Sequence, residues 1–398
     1  METLSGKITL REIFLDNGNW WKFWVKNKAL IRVAIIVNVL KLILCRTPLL
    51  GHHYYECSNC GHGMKVPHSC KSRFCPPCGK KATDNWMKRA FERLPNVTWQ
   101  HITFTMPESI WELFWLNRHL FNKIPILAAN IIKQTSHKKG VIPGIYLAIH
   151  TFGRDLKRNV HLHLSTTIGG LSLDHKKWIA KGWFEHTTLK TRWRYALINL
   201  LREEYKAKRL KLPKELKSCR KSYAQFNQWL DHLYQKAWVV HLNEHCKNHK
   251  HNTEYLGKYL KRPPLSETRI KAYDGKSIRF EYLDHYSGKE QAMSLNVLEF
   301  IARLIVHIPD KYFRNIRYYG FLSNRLSGKL LPIVYKLIGQ EKPQSKSYVA
   351  WREMILRAFH YDPLRCPECD HLMLLTAVQY SQKIVYEALH KKIAHGFT

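Results

Sequence analysis

Acidic residues are scarce in this chain of 398 residues, which has 30 Asp and Glu against 65 Lys and Arg. The formal net charge is +35 with histidine counted neutral, and such an excess predicts a polyanionic partner. Apolar residues make up 45% of the chain and aromatic residues 12%, which favours a folded nucleic-acid-binding protein over a basic disordered tail. The shortage of carboxylates also disfavours a nuclease that holds two metal ions with acidic ligands.

Long apolar runs and secretory signals are missing as well. Residues 30–44 form the longest apolar stretch, but Arg32, Asn38 and Lys41 interrupt it. It is also shorter than the roughly 20 residues of a bilayer-spanning helix. The first residues include acids and lack a signal-peptide pattern, so we expect no secretion, no membrane partner and reduced cysteines.

The chain has no nucleotide-binding loop of the helicase type. Gly275, Lys276 and Ser277 match the end of the GxxxxGK-Ser/Thr pattern, but Ile270 stands where the first glycine is needed. We therefore expect no ATP-driven motor in this chain.

Four regions follow one another along the chain: a helical N-terminal segment (1–50), a loop-rich module (51–94), a main domain (95–325) and a basic C-terminal segment (326–398). Alternating or β-branched runs predict strands at 97–106, 141–151, 160–168, 237–242, 278–283 and 316–321. The second and third runs are close enough to pair, and a helical region at 110–135 is expected to break or kink at Pro125. Strands mixed irregularly with helices predict an α+β fold with a largely antiparallel sheet.

Five cysteines lie close together in the loop-rich module. Cys57 and Cys60 form one Cys-x-x-Cys pair, and Cys75 and Cys78 form another after 14 intervening residues. Two such turns predict one tetrahedral zinc site, with Cys70 as a fifth thiol nearby. The alternative is a group of buried, reduced cysteines without metal.

A solitary Cys-x-x-Cys pair, Cys366 and Cys369, lies in the C-terminal segment and makes half a metal site. His360 and His371 are close enough in the sequence to complete it. A second zinc ion therefore stays an open alternative.

Two histidines alternate on a predicted strand. His161 and His163 are two residues apart, so both imidazoles project from one face of the strand. Such a pair can hold a divalent ion that polarises a phosphate oxygen, and His150 on the preceding strand could supply a third ligand. Partly buried histidines with ordinary hydrogen bonds are the alternative.

Two tyrosines are four residues apart on a predicted short helix. Tyr255 and Tyr259 would share one helix face, with Lys258 and other cations around them. A tyrosine hydroxyl needs help from such cations, a base or a polarised phosphate to act as a nucleophile. The alternative is an amphipathic helix with both rings in a core.

The order of these motifs is similar to a known family. The chain carries, in sequence, CSNCG with HSCKSRFCPPC, then HITFTMPE, IHTFG, HLH, YLGKY and IRYYGFL. This order resembles the bacterial rolling-circle insertion-sequence transposases of the IS-ninety-one type, which are two-tyrosine HUH enzymes with an N-terminal zinc-binding domain. The resemblance extends over most of the chain.

The resemblance implies a ferredoxin-like HUH endonuclease domain at 95–325 with a central antiparallel sheet. It assigns the metal pair to His161 and His163, with His150 as third ligand and His101 as second choice, and the nucleophiles to Tyr255 and Tyr259. Asn159 and Val160 stand where family members often have His-Pro. The five cysteines of the module take the positions of the family's zinc ligands.

The activity implied is cleavage and joining of single-stranded DNA at the element's own ends and at target DNA. Mg²⁺ or Mn²⁺ would be the catalytic ion, Zn²⁺ the structural ion, and a 5′-phosphotyrosine the intermediate. Host helicase and polymerase would be partners, and the protein would be cytoplasmic and associated with the bacterial nucleoid. A plasmid relaxase or replication initiator with the same chemistry is one alternative. A non-catalytic, zinc-dependent DNA-binding regulator is the other.

Overall fold

The computed structural model describes residues 8–180, 184–243, 263–284, 288–341, 352–353, 356, 360, 362–380 and 386–395. The α-helices in these ranges are α1 Leu10–Leu15, α2 Asn19–Asn27, α3 Val33–Leu44, α4 Pro76–Arg93, α5 Trp111–Leu116, α6 Leu120–His137, α7 His186–Lys206, α8 Tyr223–His232, α9 Val297–Ile305, α10 Ser327–Leu337 and α11 Tyr386–Ala394.

The strands are β1 Gly51–Cys57, β2 Gly63–Pro67, β3 Trp99–Thr105, β4 Val141–Ile142, β5 Gly144–Phe152, β6 Arg158–Thr167, β7 Gly170–Ser172, β8 Trp178–Ile179, β9 Val240–Leu242, β10 Ile270–Tyr273, β11 Ser277–Leu283, β12 Glu290–Asn296, β13 Ile316–Gly320 and β14 Met373–Tyr380. The mixture of helices and antiparallel sheets confirms the α+β class.

A five-stranded sheet with the order β13-β5-β6-β3-β9 is the centre of the main domain. All its neighbouring strands are antiparallel, including the expected pair β5 and β6. Each of the six runs predicted to be strands contributes at least part of its length to this sheet or to β11.

The two faces of the sheet differ because side chains alternate along each strand. One face is apolar and packs on α6, α7 and α8 through Ile102, Phe104, Ile145, Leu147, Ile149, Leu162 and Leu164. The opposite face is apolar only near Tyr146 and Trp99, where α4 and α10 cover it. A slip of one residue would move the buried apolar set into water, so the apolar face keeps the register. That register decides which polar groups meet on the other face.

Proline acts differently at two positions. The run predicted as one strand at 141–151 is divided at Pro143, because proline has no N–H for the ladder, and β4 then pairs with β7 while β5 pairs with β6. Helix α6 in contrast continues through Pro125. The expected break at Pro125 is therefore wrong: the helical region is interrupted at Asn117, whose side chain caps the carbonyls of Leu113 and Lys211.

A second core lies outside the main sheet. Helices α1, α2 and α3 pack there with β11, β12, α9 and α11. Strand β14 joins β1 and β2 in a three-stranded sheet, so the C-terminal segment contacts the N-terminal module directly. Among the described helices, none is both long and apolar enough to cross a membrane.

Candidate metal centres and active site

Three histidines meet on the polar face of the central sheet. His150 lies on β5 directly opposite His161 on β6, and His163 follows two residues later on the same face. The ligand nitrogens of the three lie within 4.8 Å of one another. Their ring centroids are 4.8–5.2 Å apart. The structure thus brings together the three histidines that the sequence selected as metal ligands.

The strand register explains this cluster. His161 and His163 share a face because they are two residues apart, and the antiparallel pairing of β5 and β6 places His150 beside them. The intervening Leu162 points to the opposite face and is fully buried. The imidazoles are therefore held by strands whose other face belongs to the main core.

Further polar residues support the three imidazoles. His101 lies on β3 and places its Nε2 3.1 Å from Nδ1 of His163, with the hydroxyl of Thr103 near both rings. His161 Nδ1 is 3.1 Å from the carbonyl oxygen of Asn159 and 3.2 Å from its side-chain oxygen. Both of those oxygens only accept, so His161 donates from Nδ1 and keeps its Nε2 lone pair.

Burial controls the protonation of this cluster. It lowers the pKa of His163 well below the usual range, and the neighbouring His150, His161 and His101 lower it further. It also lowers the pKa of His101 to about 3, with a smaller contribution from His241. Both rings are neutral near pH 7, which is the form of imidazole that binds metal ions.

The cysteines form two separate groups of four. The first group, the buried cluster, contains Cys45, Cys70, Cys75 and Cys78. Sγ of Cys78 is 3.7 Å from Sγ of Cys45 and 3.6 Å from Sγ of Cys70. A ZnS₄ tetrahedron with bonds of about 2.3 Å requires sulfurs about 3.8 Å apart, so these thiols fit a zinc ion.

The second group, the knuckle cluster, contains Cys57, Cys60, Cys366 and Cys369. Its sulfurs are 3.4–3.6 Å apart across the two pairs. Cys60 is exposed and Cys369 half-buried, whereas every sulfur ligand of the buried cluster comes from a buried residue. This group also fits a zinc ion.

The two halves of the knuckle cluster have the same backbone turn. The N–H of Cys57 donates to the carbonyl of His62, and the N–H of Cys366 donates to that of His371. In each turn a residue with positive φ, Gly61 or Asp370, also donates its N–H to the first cysteine's carbonyl. His371 therefore belongs to the turn and is not part of the thiol group.

The predicted grouping of Cys57 and Cys60 with Cys75 and Cys78 differs from this arrangement. The structure divides those two pairs between the two clusters, because α3 brings Cys45 to Cys78 and β14 brings the C-terminal pair to β1. Cys45 was missed as a ligand because it has no Cys-x-x-Cys partner. The pattern Cys-x-x-Cys-x-His occurs at both 57–62 and 366–371. This shared pattern is the sequence signal that could have predicted that the two turns form one cluster.

The predicted nucleophiles lie outside the described residues. Tyr255, Lys258 and Tyr259 belong to residues 244–262, between β9 and the residues that lead to β10. Their roles stay predictions.

Comparison with known proteins identifies the family. A family described as "Putative transposase" (Y2_Tnp) matches residues 144–329, and one described as "Transposase zinc-binding domain" (Zn_Tnp_IS91) matches residues 18–106. The transposase for insertion sequence element IS801 of Pseudomonas savastanoi pv. phaseolicola is 34% identical over 373 residues, which cover 92% of this chain and 89% of that protein. The chain belongs to the IS91-type transposases.

A second relative also aligns with most of the chain. "Putative transposase y4qJ" of Sinorhizobium fredii (strain NBRC 101917 / NGR234) is 28% identical over 347 residues, covering 84% of this chain and 86% of that protein. No solved structure matches the chain significantly. The family resemblance is therefore confirmed, and with it a zinc-binding domain and DNA as a partner. Cys366 and Cys369 lie beyond the residues matched by the zinc-binding family.

Proposed function

We propose that the transposase cleaves and joins single-stranded DNA at the ends of its own element by rolling-circle chemistry. The observation that carries this proposal is the meeting of His150, His161 and His163 on one face of the central sheet. The sheet would then correspond to the ferredoxin-like HUH fold. The net charge of +35 supports a long contact with the phosphate backbone.

The three histidines would hold Mg²⁺ or Mn²⁺, which when bound polarises a non-bridging oxygen of the scissile phosphate. Neutral imidazoles suit this task because burial keeps His163 unprotonated. With Nε2 of His163 directed to the ion, its Nδ1 carries the proton and His101 accepts the hydrogen bond.

The proposed nucleophile is the hydroxyl of Tyr255 or Tyr259. Its oxygen forms a bond to phosphorus as the bond from phosphorus to the 3′ oxygen breaks, and the released 3′ oxygen takes up a proton. The products are a 5′-phosphotyrosine and a free 3′-OH, so the energy of the phosphodiester is retained. The second tyrosine can cut another strand, and a 3′-OH then resolves the covalent link. Unwinding and synthesis would come from a host helicase and polymerase.

The test is a covalent adduct between the transposase and DNA. Purified protein is mixed with labelled single-stranded DNA from its element's ends and Mn²⁺ or Mg²⁺, and separated on a denaturing gel. We expect a metal-dependent adduct that Tyr255→Phe or Tyr259→Phe weakens and the double variant removes. Tyr195→Phe, at an exposed position of α7, is the matched control.

Two results would contradict the proposal. An adduct that survives in the double tyrosine variant would place the nucleophile elsewhere. Single-strand binding without any adduct, in the presence of metal, would favour a non-catalytic zinc-dependent regulator. A relaxase or replication initiator shares the chemistry, and activity on element ends rather than on a plasmid origin separates it from the transposase.

His101 is expected to act as a positioning residue rather than a metal ligand. In His101→Ala, His163 loses its acceptor, so Mn²⁺ affinity should fall about 10- to 100-fold, the usual effect of removing such a partner. His101→Gln keeps an acceptor and should restore part of it. Calorimetric Mn²⁺ titration measures both, with His186→Ala, at the exposed start of α7, as control. Unchanged affinity in His101→Ala would show that β6 alone holds His163.

A further inference from the structure

A groove at the edge of the central sheet is not used by the proposed chemistry. Its cavity volume is about 320 Å³, within the range of about 300–1,000 Å³ found for ligand sites. It is lined by Asn122, Tyr312, Arg314, Arg317, Tyr319 and Asn324, among others. We call it the β13 groove, because β13 and the residues just before that strand form most of it.

The β13 groove presents positive charge without carboxylate neutralisation. Within the described part of the chain, neither Arg314 nor Arg317 forms an ion pair. The guanidinium of Arg317 donates from Nη1 to the carbonyl of Asn122 at 3.1 Å, from Nη2 to the side-chain oxygen of Asn122, and from Nε to the carbonyl of Arg314 at 3.2 Å, and all three acceptors are neutral. Arg317 is thereby held in place while its charge stays available, which suits an anionic ligand.

An exposed aromatic ring stands beside these cations. Tyr312 is 86% exposed, the largest exposed fraction among the large apolar side chains of the described residues. The ammonium of Lys311 lies 4.9 Å from the centre of its ring. A solvent-exposed aromatic ring next to cationic side chains is an arrangement on which single-stranded nucleic acids stack their bases.

The groove lies at the same end of the sheet as the histidines. Ile316 on β13 pairs with Ala148, and Ala148 pairs with His163. Two strand spacings, about 10 Å, therefore separate β13 from β6. Arg314 precedes Ile316 by two residues. Because β13 and β5 are antiparallel, Arg314 lies at the end of the ladder where β5 carries His150. Arg317 and Asn122 lie on the α6 side of the sheet, opposite the histidines, so a DNA strand that leaves the histidine cluster would reach the groove by passing round the edge strand β13.

We propose that the β13 groove binds an unpaired segment of the single-stranded DNA on which the transposase acts. A base stacks on the ring of Tyr312, and Arg314 and Arg317 hold the adjoining phosphates. This inference rests on the proposed single-strand activity and adds to it a binding site separate from the metal centre. The groove would hold the strand at the edge of the sheet, beyond the scissile phosphate.

The test measures binding of single-stranded element ends by fluorescence anisotropy at several salt concentrations. Tyr312→Ala should weaken binding roughly 5- to 150-fold, as expected for loss of one base stack, whereas Tyr312→Phe should bind like the wild type. Arg314→Gln should lower the slope of log affinity against log salt by about 0.7, the value for one phosphate contact on a single strand. Tyr195→Ala and Arg279→Gln, both exposed and distant in the chain, are the matched controls.

Photo-cross-linking gives a second readout. Oligonucleotides with 5-iodouracil at successive positions should cross-link to Tyr312 at one or two positions only, and Tyr312→Ala should lose this product. One set of results would overturn the groove assignment alone. In that case the wild type forms the tyrosine adduct but no cross-link to Tyr312, and the groove variants bind with normal affinity and salt slope. A wild type that neither binds nor cleaves single strands would overturn the proposed function itself. Equal effects of the groove variants on an acidic peptide and on DNA would also count against a DNA site.

Discussion

Replacing Cys45 with serine is expected to remove one of two zinc ions and to unfold the N-terminal core. Cys45 belongs to the buried cluster, which lies among the apolar residues of α1, α2, α3 and α9. Binding of structural zinc contributes on the order of 10–16 kcal/mol in small zinc domains. That is comparable to the whole stability of a typical domain, about 5–15 kcal/mol. Elemental analysis should therefore give two zinc ions per chain for the wild type and one for Cys45→Ser, with a large fall in melting temperature.

Cys219→Ser is the matched control for this experiment. Cys219 is also buried, but it lies in the main core and belongs to neither cluster of four. The control should keep both zinc ions. One zinc ion in the wild type, retained in Cys45→Ser, would instead support the single site of Cys57, Cys60, Cys75 and Cys78 that the spacing of the pairs predicts.

The knuckle cluster should respond separately. Cys366→Ser is expected to remove its zinc ion while leaving the buried cluster loaded, because the two groups share no ligand. The partly exposed thiols should also lose zinc to a chelator before the buried ones do. The zinc-binding domain would then depend on residues about 300 positions away for one of its two ions.

The second large effect is expected at His163. His163→Gln removes a buried imidazole from the centre of the histidine cluster, where it contacts His150, His161 and His101. If a metal-polarised phosphate contributes several kcal/mol to cleavage, the rate should fall at least about 10³-fold. The measurement is the single-turnover rate of adduct formation at saturating Mn²⁺.

His186→Ala is the control for this second experiment, because His186 is exposed at the start of α7 and should leave the rate unchanged. Circular dichroism and single-strand binding check that His163→Gln stays folded. A folded His163→Gln variant that cleaves at the wild-type rate would exclude the histidine cluster as the catalytic centre. Loss of cleavage with retained binding is the result that supports it.

Short-range patterns were sufficient to predict that His150, His161 and His163 lie close together. His161 and His163 share a face in any β-strand, and an apolar residue between them directs the strand to the core. The adjacent strand that carries His150 follows after a short connection, so antiparallel pairing was the simplest expectation, and the structure has it. The supporting roles of His101 and Asn159 were not foreseen, since they depend on the register between strands and on a side-chain contact.

The two prolines also show what local sequence patterns cannot predict. A proline in a helical run suggests a break, but α6 continues through Pro125 because the helix loses only one hydrogen bond there and keeps its apolar face on the sheet. At Pro143, in contrast, the missing N–H falls where the chain changes from one sheet to another.

The sequence by itself determined the family, the α+β class, the basic character and the residue types that form the histidine and cysteine clusters. These properties depend on residue types and local spacing, which the chain carries whatever its fold. Only the tertiary structure decided which cysteines lie together in groups of four. A tetrahedral site needs four thiols within about 4 Å of one another, and spacing brings together only the two of each turn. In the buried cluster the other two are Cys70, which lies shortly before Cys75 in the sequence, and Cys45, which directly follows α3. In the knuckle cluster the second pair comes from the C-terminal turn that precedes β14.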